Sequence, residues 1–192
     1  MYEQERVGDY IITYTGKKFY PLDPRPEDID IVDIAHSLSG LVRFTGHSEK
    51  FYTVGEHSIH CANVAKKLGY STLIQLYALL HDASESVVND VSRPAKQHLP
   101  DYKKMENSIM EVIWKTVGLP PPTEEDYKLV KIIDNTLLLN EMMQLMPSSN
   151  ITLPNVEHEM VSVDLSEEYT RQEVKGTFLM KYAELMDMYL DE

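Results

Sequence analysis

Apolar residues recur along this chain at the three- and four-residue spacing of amphipathic helices, interrupted at intervals by glycine and proline. Only the start reads differently. Tyr10-Ile11-Ile12-Thr13-Tyr14 and Lys18-Phe19-Tyr20-Pro21-Leu22 flank Thr15-Gly16-Lys17, which predicts a short β-hairpin. Beyond Pro24 and Pro26 a helix is expected from Asp28 to Leu38, stopped at Gly40, followed by a loop from Leu41 to Thr53. Helices are then expected at about 54–68 and 71–85, the first ending at Gly69. Val88 to Pro100, broken by two prolines, predicts a loop with one short helical turn.

Asp101 to Val117 carries an apolar stripe of Met105, Ile109, Val112, Ile113 and Trp114, and Gly118 with three prolines ends it. Thr123-Glu124-Glu125-Asp126 reads as the capped, acidic first turn of a helix running to Met146. Ile151 to Val163 predicts a loop or short extended piece, and Ser166-Glu167-Glu168-Tyr169 a cap for a last helix to about Tyr189. The expectation is one mainly α domain, 1–192, with a core at about 26–146 and a C-terminal helix at about 166–190. Met105, Met110, Met142, Met143, Met146, Met180, Met186 and Met188 read as core filling.

Composition narrows the function. With 31 acidic and 18 basic residues the net charge is −13, and no basic run is longer than a pair, which disfavours a nucleic-acid polymer as partner. A small anion remains compatible. Cys61 is the single cysteine, placed among apolar helical positions and expected to be a buried thiol in a reducing cytoplasm. No apolar run approaches the ~20 residues of a membrane span, and Met1 to Arg6 lacks the pattern of a secretion signal.

The informative polar residues are those embedded in apolar helical runs. His81 and Asp82 follow Ala78-Leu79-Leu80 directly, and neighbours on a helix point about 100° apart, so a metal ion beside the helix can use both. Asp134 sits among Ile132, Ile133, Leu137 and Leu138, where a lone carboxylate is costly unless a cation compensates it. Its rival Asp126 belongs to the polar start of the same helix. Upstream, His57 and His60 lie one turn apart, and either can face the metal. Two imidazoles and two carboxylates suit one divalent cation: Mn²⁺, Fe²⁺, Co²⁺, Ni²⁺ or Zn²⁺, with Mg²⁺ possible.

The order H…HD…D resembles the motif of HD-domain metal-dependent phosphohydrolases, more closely the short nucleotide hydrolases of bacteria and prophages, including 5′-deoxynucleotidases. The likeness runs from about Tyr14 to Met146 through His36, Arg43-Phe44-Thr45-Gly46-His47, Glu56-His57-Ser58, His81-Asp82-Ala83-Ser84-Glu85 and Asp90-Val91-Ser92-Arg93-Pro94. It implies a single HD-domain helical bundle with His57, His81, Asp82 and Asp134 as metal ligands. His60 then falls to the core or to a supporting place. By the same likeness Glu85 handles the proton of water or leaving group, and Asp90 is a further acid/base or sugar contact.

Arg43 can grip phosphate, with Phe44 stacking beside it where some relatives have Trp; His47 is a donor to phosphate or base. Arg93, Pro94 and Lys96 are candidates for a pocket wall. Glu141, two turns beyond Asp134, can orient a water or pair with Arg43. The expected activity is hydrolysis of a nucleotide, first a 2′-deoxynucleoside 5′-monophosphate to nucleoside and phosphate. The alternatives are a deoxynucleoside triphosphate, or a non-catalytic nucleotide sensor built on the same scaffold. A homodimer through the last helix, by Phe178, Leu179, Tyr182, Leu185, Met186 and Tyr189, is a further expectation.

Overall fold

The computed structural model describes residues 5–147 and 161–192. Most of the segment expected as a loop or extended piece, residues 151–160, lies outside them. The chain is mainly α, with a two-strand hairpin near its start.

In the hairpin, β1 (Ile11–Ile12) pairs antiparallel with β2 (Lys18–Phe19), Ile11 opposite Phe19. Its ladder is shorter than the apolar run suggests, because only Phe19 finds a place in the core while Ile11 and Ile12 stay exposed. The helix expected from Asp28 begins later. Pro26–Asp28 forms a single 3₁₀ turn, Ile29 is extended, and α1 (Ile31–Leu38) starts where Asp30 accepts a hydrogen bond from the Val32 N–H at 2.9 Å.

Helix α2 (Val54–Lys67) is opened by a capping box between Thr53 and Glu56, and α3 (Thr72–Leu80) by the Ser71 side chain. Gly55 is required at the first turn of α2. A Cβ there would stand 2.9 Å from the Val174 side chain and 3.1 Å from the Ser39 backbone nitrogen, so its absence lets three segments meet just before His57.

Helix α3 does not continue to residue 85. The chain tightens into three-residue turns, Ala83 N–H to Leu80 O and Glu85 N–H to Asp82 O, while the His81 ring takes the Ala78 carbonyl at 2.8 Å. Two short helices follow, α4 (Glu85–Val88) and α5 (Arg93–Lys96), then α6 (Pro100–Thr116).

A second capping box, Thr123 with Asp126, starts α7 (Glu124–Leu145), and a third starts α8 (Arg171–Leu190). The last cap is Thr170 with Glu173, not the Ser166 segment. Ser166 is followed three residues later by Tyr169, which cannot return the reciprocal bond that Glu173 gives Thr170.

Helices α2 and α3 form the centre, covered by α7 and α8, and one core runs from Phe19 to Leu185. The apolar face of α8 is used internally: Val174, Phe178 and Leu185 are buried, with Leu179, Tyr182, Met186 and Tyr189 packed against them. Met110 is buried, but Met143, Met180 and Met188 are exposed, against the expectation of core filling. Among the described residues no helix is long and apolar enough to cross a membrane.

Candidate metal centre

Three helices bring the embedded polar residues together. His57 from α2, His81 and Asp82 from the turn after α3, and Asp134 from α7 lie near one another. His57 Nε2 lies 3.4 Å from Asp134 Oδ1 and 3.9 Å from Asp82 Oδ2, and His81 Nε2 lies 3.2 Å from Asp82 Oδ2. The two rings are 5.3 Å apart. Donors about 2.0–2.2 Å from a common ion stand roughly 3.0–3.6 Å from one another at octahedral to tetrahedral angles, so most of these separations suit one cation.

The rings are oriented for that role. His57 Nδ1 meets Glu141 Oε1 at 2.6 Å, and His81 Nδ1 meets the Ala78 carbonyl at 2.8 Å. Each acceptor holds the proton on Nδ1 and leaves Nε2 facing the centre, the usual support for a ligating imidazole. His81 Nε2 is shut off from solvent and has no hydrogen-bond partner. A cation would satisfy it.

Cys61, one turn after His57, adds a sulfur 3.4 Å from His57 Nε2. Donor atoms of His57, Cys61 and His81 all lie within 4.8 Å of one another, and this group could hold a metal ion. His60 does not reach the cluster. It stacks on Tyr52 with ring centroids 6.4 Å apart, and burial pushes its pKa down to about 4. Asp126 is occupied at the Thr123 cap.

Electrostatics keep the carboxylates charged. Burial opposes ionisation of Asp82 and Asp134, and the neighbouring imidazoles outweigh it, holding both well below the usual carboxylate range. Glu141 is likewise drawn down to about 2 by His57 and Arg43 against the penalty of burial. Asp134 Oδ2 turns outward to Lys131 at 2.7 Å and Arg93 at 3.2 Å, while Oδ1 faces His57.

Several of the residues expected to touch substrate border the candidate centre: Arg43 stands beside Asp82, Arg93 beside Asp134 and Lys96 beside Glu85. Arg43 is locked at 2.8 Å to Glu141 and stands 3.9 Å from Asp82, its side chain 12% exposed, so it braces carboxylates and is not a free phosphate clamp. The Phe44 ring lies 5.4 Å from the Arg43 guanidinium, and His47 and Pro94 are exposed. Phe44 and Thr45 are both left-handed, with φ of 54° and 55°, an unusual run for residues with side chains.

Glu85 is buried, one oxygen held by Lys96 at 2.9 Å and the other without a partner. Lys96 bridges to Glu106 at 2.8 Å. Burial first, then the charges of Asp82 and Asp90, push the Glu85 carboxyl up, with Lys96 pulling the other way. Asp90 is half-buried and also pushed up by burial, opposed by Arg43.

A cavity of about 210 Å³ opens beside His81 and Asp82, lined further by Lys96, Glu106, Trp114 and Tyr127. Of the residues expected at a pocket wall, Lys96 lines this cavity and Arg93 and Pro94 do not; nor do Arg43, Phe44 and His47, expected at the phosphate or base.

No protein-family model matches the chain. Over 125 residues it is 40% identical to the uncharacterized protein YfdR of Escherichia coli strain K12, covering 65% of this chain and 67% of that protein. The chain belongs to the YfdR family. It is also 33% identical over 111 residues to the uncharacterized protein RCAP_rcc00048 of Rhodobacter capsulatus, covering 55% of this chain and 57% of that one.

Within this YfdR-family chain, sequence reasoning named Glu141 as a possible partner of Arg43 but not as the support of His57. The spacing was visible: Glu141 lies two turns beyond Asp134 on α7 and shares its face. The cavity residues Tyr77, Asn107, Trp114 and Tyr127 carried no signal, because aromatic and amide side chains on helices read as core or surface.

Proposed function

We propose that this chain is an HD-type, metal-dependent phosphohydrolase acting on nucleotides, with a 2′-deoxynucleoside 5′-monophosphate as its first substrate. The observation that carries the reading is the convergence of His57, His81, Asp82 and Asp134 with both imidazole Nδ1 atoms tied back and both Nε2 atoms turned inward. Those four residues would hold one divalent transition metal. Bound there, it supplies Lewis acidity and charge neutralisation for transfer of a phosphoryl group to water.

The protein's own groups do the rest. Glu85 and Asp90 are two carboxyls that burial pushes up, Glu85 further by the charges of Asp82 and Asp90, so each can carry a proton more readily than an exposed carboxylate. Such a pair takes a proton from the attacking water and returns one to the departing sugar oxygen, giving nucleoside and phosphate. Lys96 fixes one Glu85 oxygen and leaves the other free for this work. Arg43 keeps Glu141 ionised and adds positive charge on the phosphate side.

The cavity beside His81 is small against the roughly 300–1,000 Å³ of sites that enclose a whole small molecule, so it takes part of a substrate, the sugar or base. The acidic shell, with net charge −13, favours a small anion over a nucleic-acid polymer.

The test is phosphate and pyrophosphate release from a panel of dNMPs, NMPs, dNTPs and guanosine alarmones with Mn²⁺, Co²⁺ or Mg²⁺. Release of phosphate from dNMPs is expected. Preference for ribonucleotides or alarmones would refute the substrate, and nucleotide binding with no hydrolysis of any member would replace the enzyme by a sensor.

A further inference from the structure

The YfdR-family chain places its single cysteine where a metal ligand would stand. Cys61 follows His57 by one turn of α2, so both side chains leave the same helix face. Its sulfur is fully buried and lies 3.4 Å from His57 Nε2, the atom that also faces Asp134 at 3.4 Å. Two donors of one ion, nitrogen at about 2.0–2.1 Å and sulfur at about 2.3 Å, stand roughly 3.1–3.6 Å apart at octahedral to tetrahedral angles.

A second feature points to a ligand at the same place. His81 Nε2, a member of the same compact donor group, is buried without a hydrogen-bond partner. Buried cysteines usually act as small apolar side chains. Here the sulfur instead meets Nε2, the ring nitrogen that the Glu141 contact turns inward.

We infer that Cys61 is a thiolate ligand of the bound cation and biases the site towards Zn²⁺ or Co²⁺ over Mn²⁺ and Mg²⁺. The inference rests on the metal centre proposed above. On binding, the S–H proton is released to solvent and a metal–sulfur bond forms, as metals do with coordinating thiols. Sulfur is a soft donor that suits Zn²⁺, whereas oxygen donors suit Mg²⁺ and Mn²⁺.

The experiment is optical titration of chelator-stripped full chain with Co²⁺, reading the near-ultraviolet thiolate-to-cobalt charge-transfer band. Only Cys61 can produce it, since the chain has one cysteine. The wild type is expected to show the band at one equivalent, and Cys61→Ser and Cys61→Ala to bind Co²⁺ without it. Zn²⁺ affinity of these variants should fall about tenfold or more, while Mn²⁺ affinity stays near that of the wild type.

Stoichiometric Co²⁺ binding with no band in the wild type overturns the inference and leaves the metal centre standing. Failure to bind Co²⁺ overturns both. Equal losses of Zn²⁺ and Mn²⁺ affinity in Cys61→Ala would make Cys61 a packing residue. If the variants do not fold, the wild-type spectrum alone decides.

Discussion

His57 Nδ1 and Glu141 Oε1 stand 2.6 Å apart with both side chains completely buried, and the other Glu141 oxygen holds Arg43 at 2.8 Å. One carboxylate therefore sets the tautomer of a candidate ligand and neutralises a buried guanidinium. Glu141→Gln preserves shape and an acceptor oxygen but removes the charge. Metal affinity is expected to fall about 10–100-fold by calorimetry. Thermal stability should drop as for a broken buried ion pair, about 3–5 kcal/mol. A variant that binds metal and melts like the wild type would show the contact to be incidental.

Glu85 predicts a pH signature in the metal-free protein. Its folded carboxyl is pushed up to about 9, against an ordinary value of 4.5. Between those values the folded state keeps a proton that the unfolded chain has lost, so this group's contribution to stability falls as pH rises. Glu85→Gln cannot ionise. Its melting temperature relative to wild type should climb from pH 5 to pH 9 in chelator-treated samples, and a pH-independent difference would contradict the assignment. In metal-loaded protein the same variant, like Glu85→Ala, should lose turnover by ~10²-fold or more while retaining metal.

Thr45 is exposed and left-handed at φ 55°, directly after Phe44 at φ 54°. The left-handed region costs a side-chain-bearing residue about 1–2 kcal/mol, and a β-branched residue suffers most. Thr45→Gly relieves that cost, offset by the extra freedom of glycine in the unfolded chain, about 0.4–1 kcal/mol. A small rise in denaturant midpoint is expected, up to about 1 kcal/mol. A lower midpoint would mean the Thr45 side chain makes a stabilising contact.

The cavity beside His81 can be filled without touching the candidate ligands. Asn107 is exposed at its rim. Asn107→Trp should place an indole across the opening and raise KM for nucleotides, with metal affinity unchanged by titration. Unchanged KM in a folded variant would show that the substrate does not enter this cavity.

Much of the fold was legible because helix starts are written locally. Thr53 with Glu56 and Thr123 with Asp126 announce their helices, and Thr170 with Glu173 does so better than the Ser166 segment. What pattern could not show was the break after Leu80. There the ring of His81 competes for a backbone carbonyl, a choice made by tertiary position and not by propensity.

The same limit applies at the site. Asp134 stood out because its neighbours are apolar, and His81-Asp82 because one helix face rarely needs both. Arg43 read as a phosphate clamp and Glu141 only as one partner it could take, and the 2.8 Å contact between them is visible only in the structure. Cys61 looked like any buried thiol, since helical spacing alone does not reveal that His57 turns Nε2 towards it.

The most direct test of the account is the metal content of the purified protein, taken with its activity. Protein prepared without chelator should carry about one transition-metal ion per chain by elemental analysis. Chelation should abolish phosphate release from a dNMP, and Co²⁺ or Mn²⁺ should restore it in the wild type but not in Asp82→Ala. No bound metal, together with unchanged activity in Asp82→Ala, would contradict the central claim.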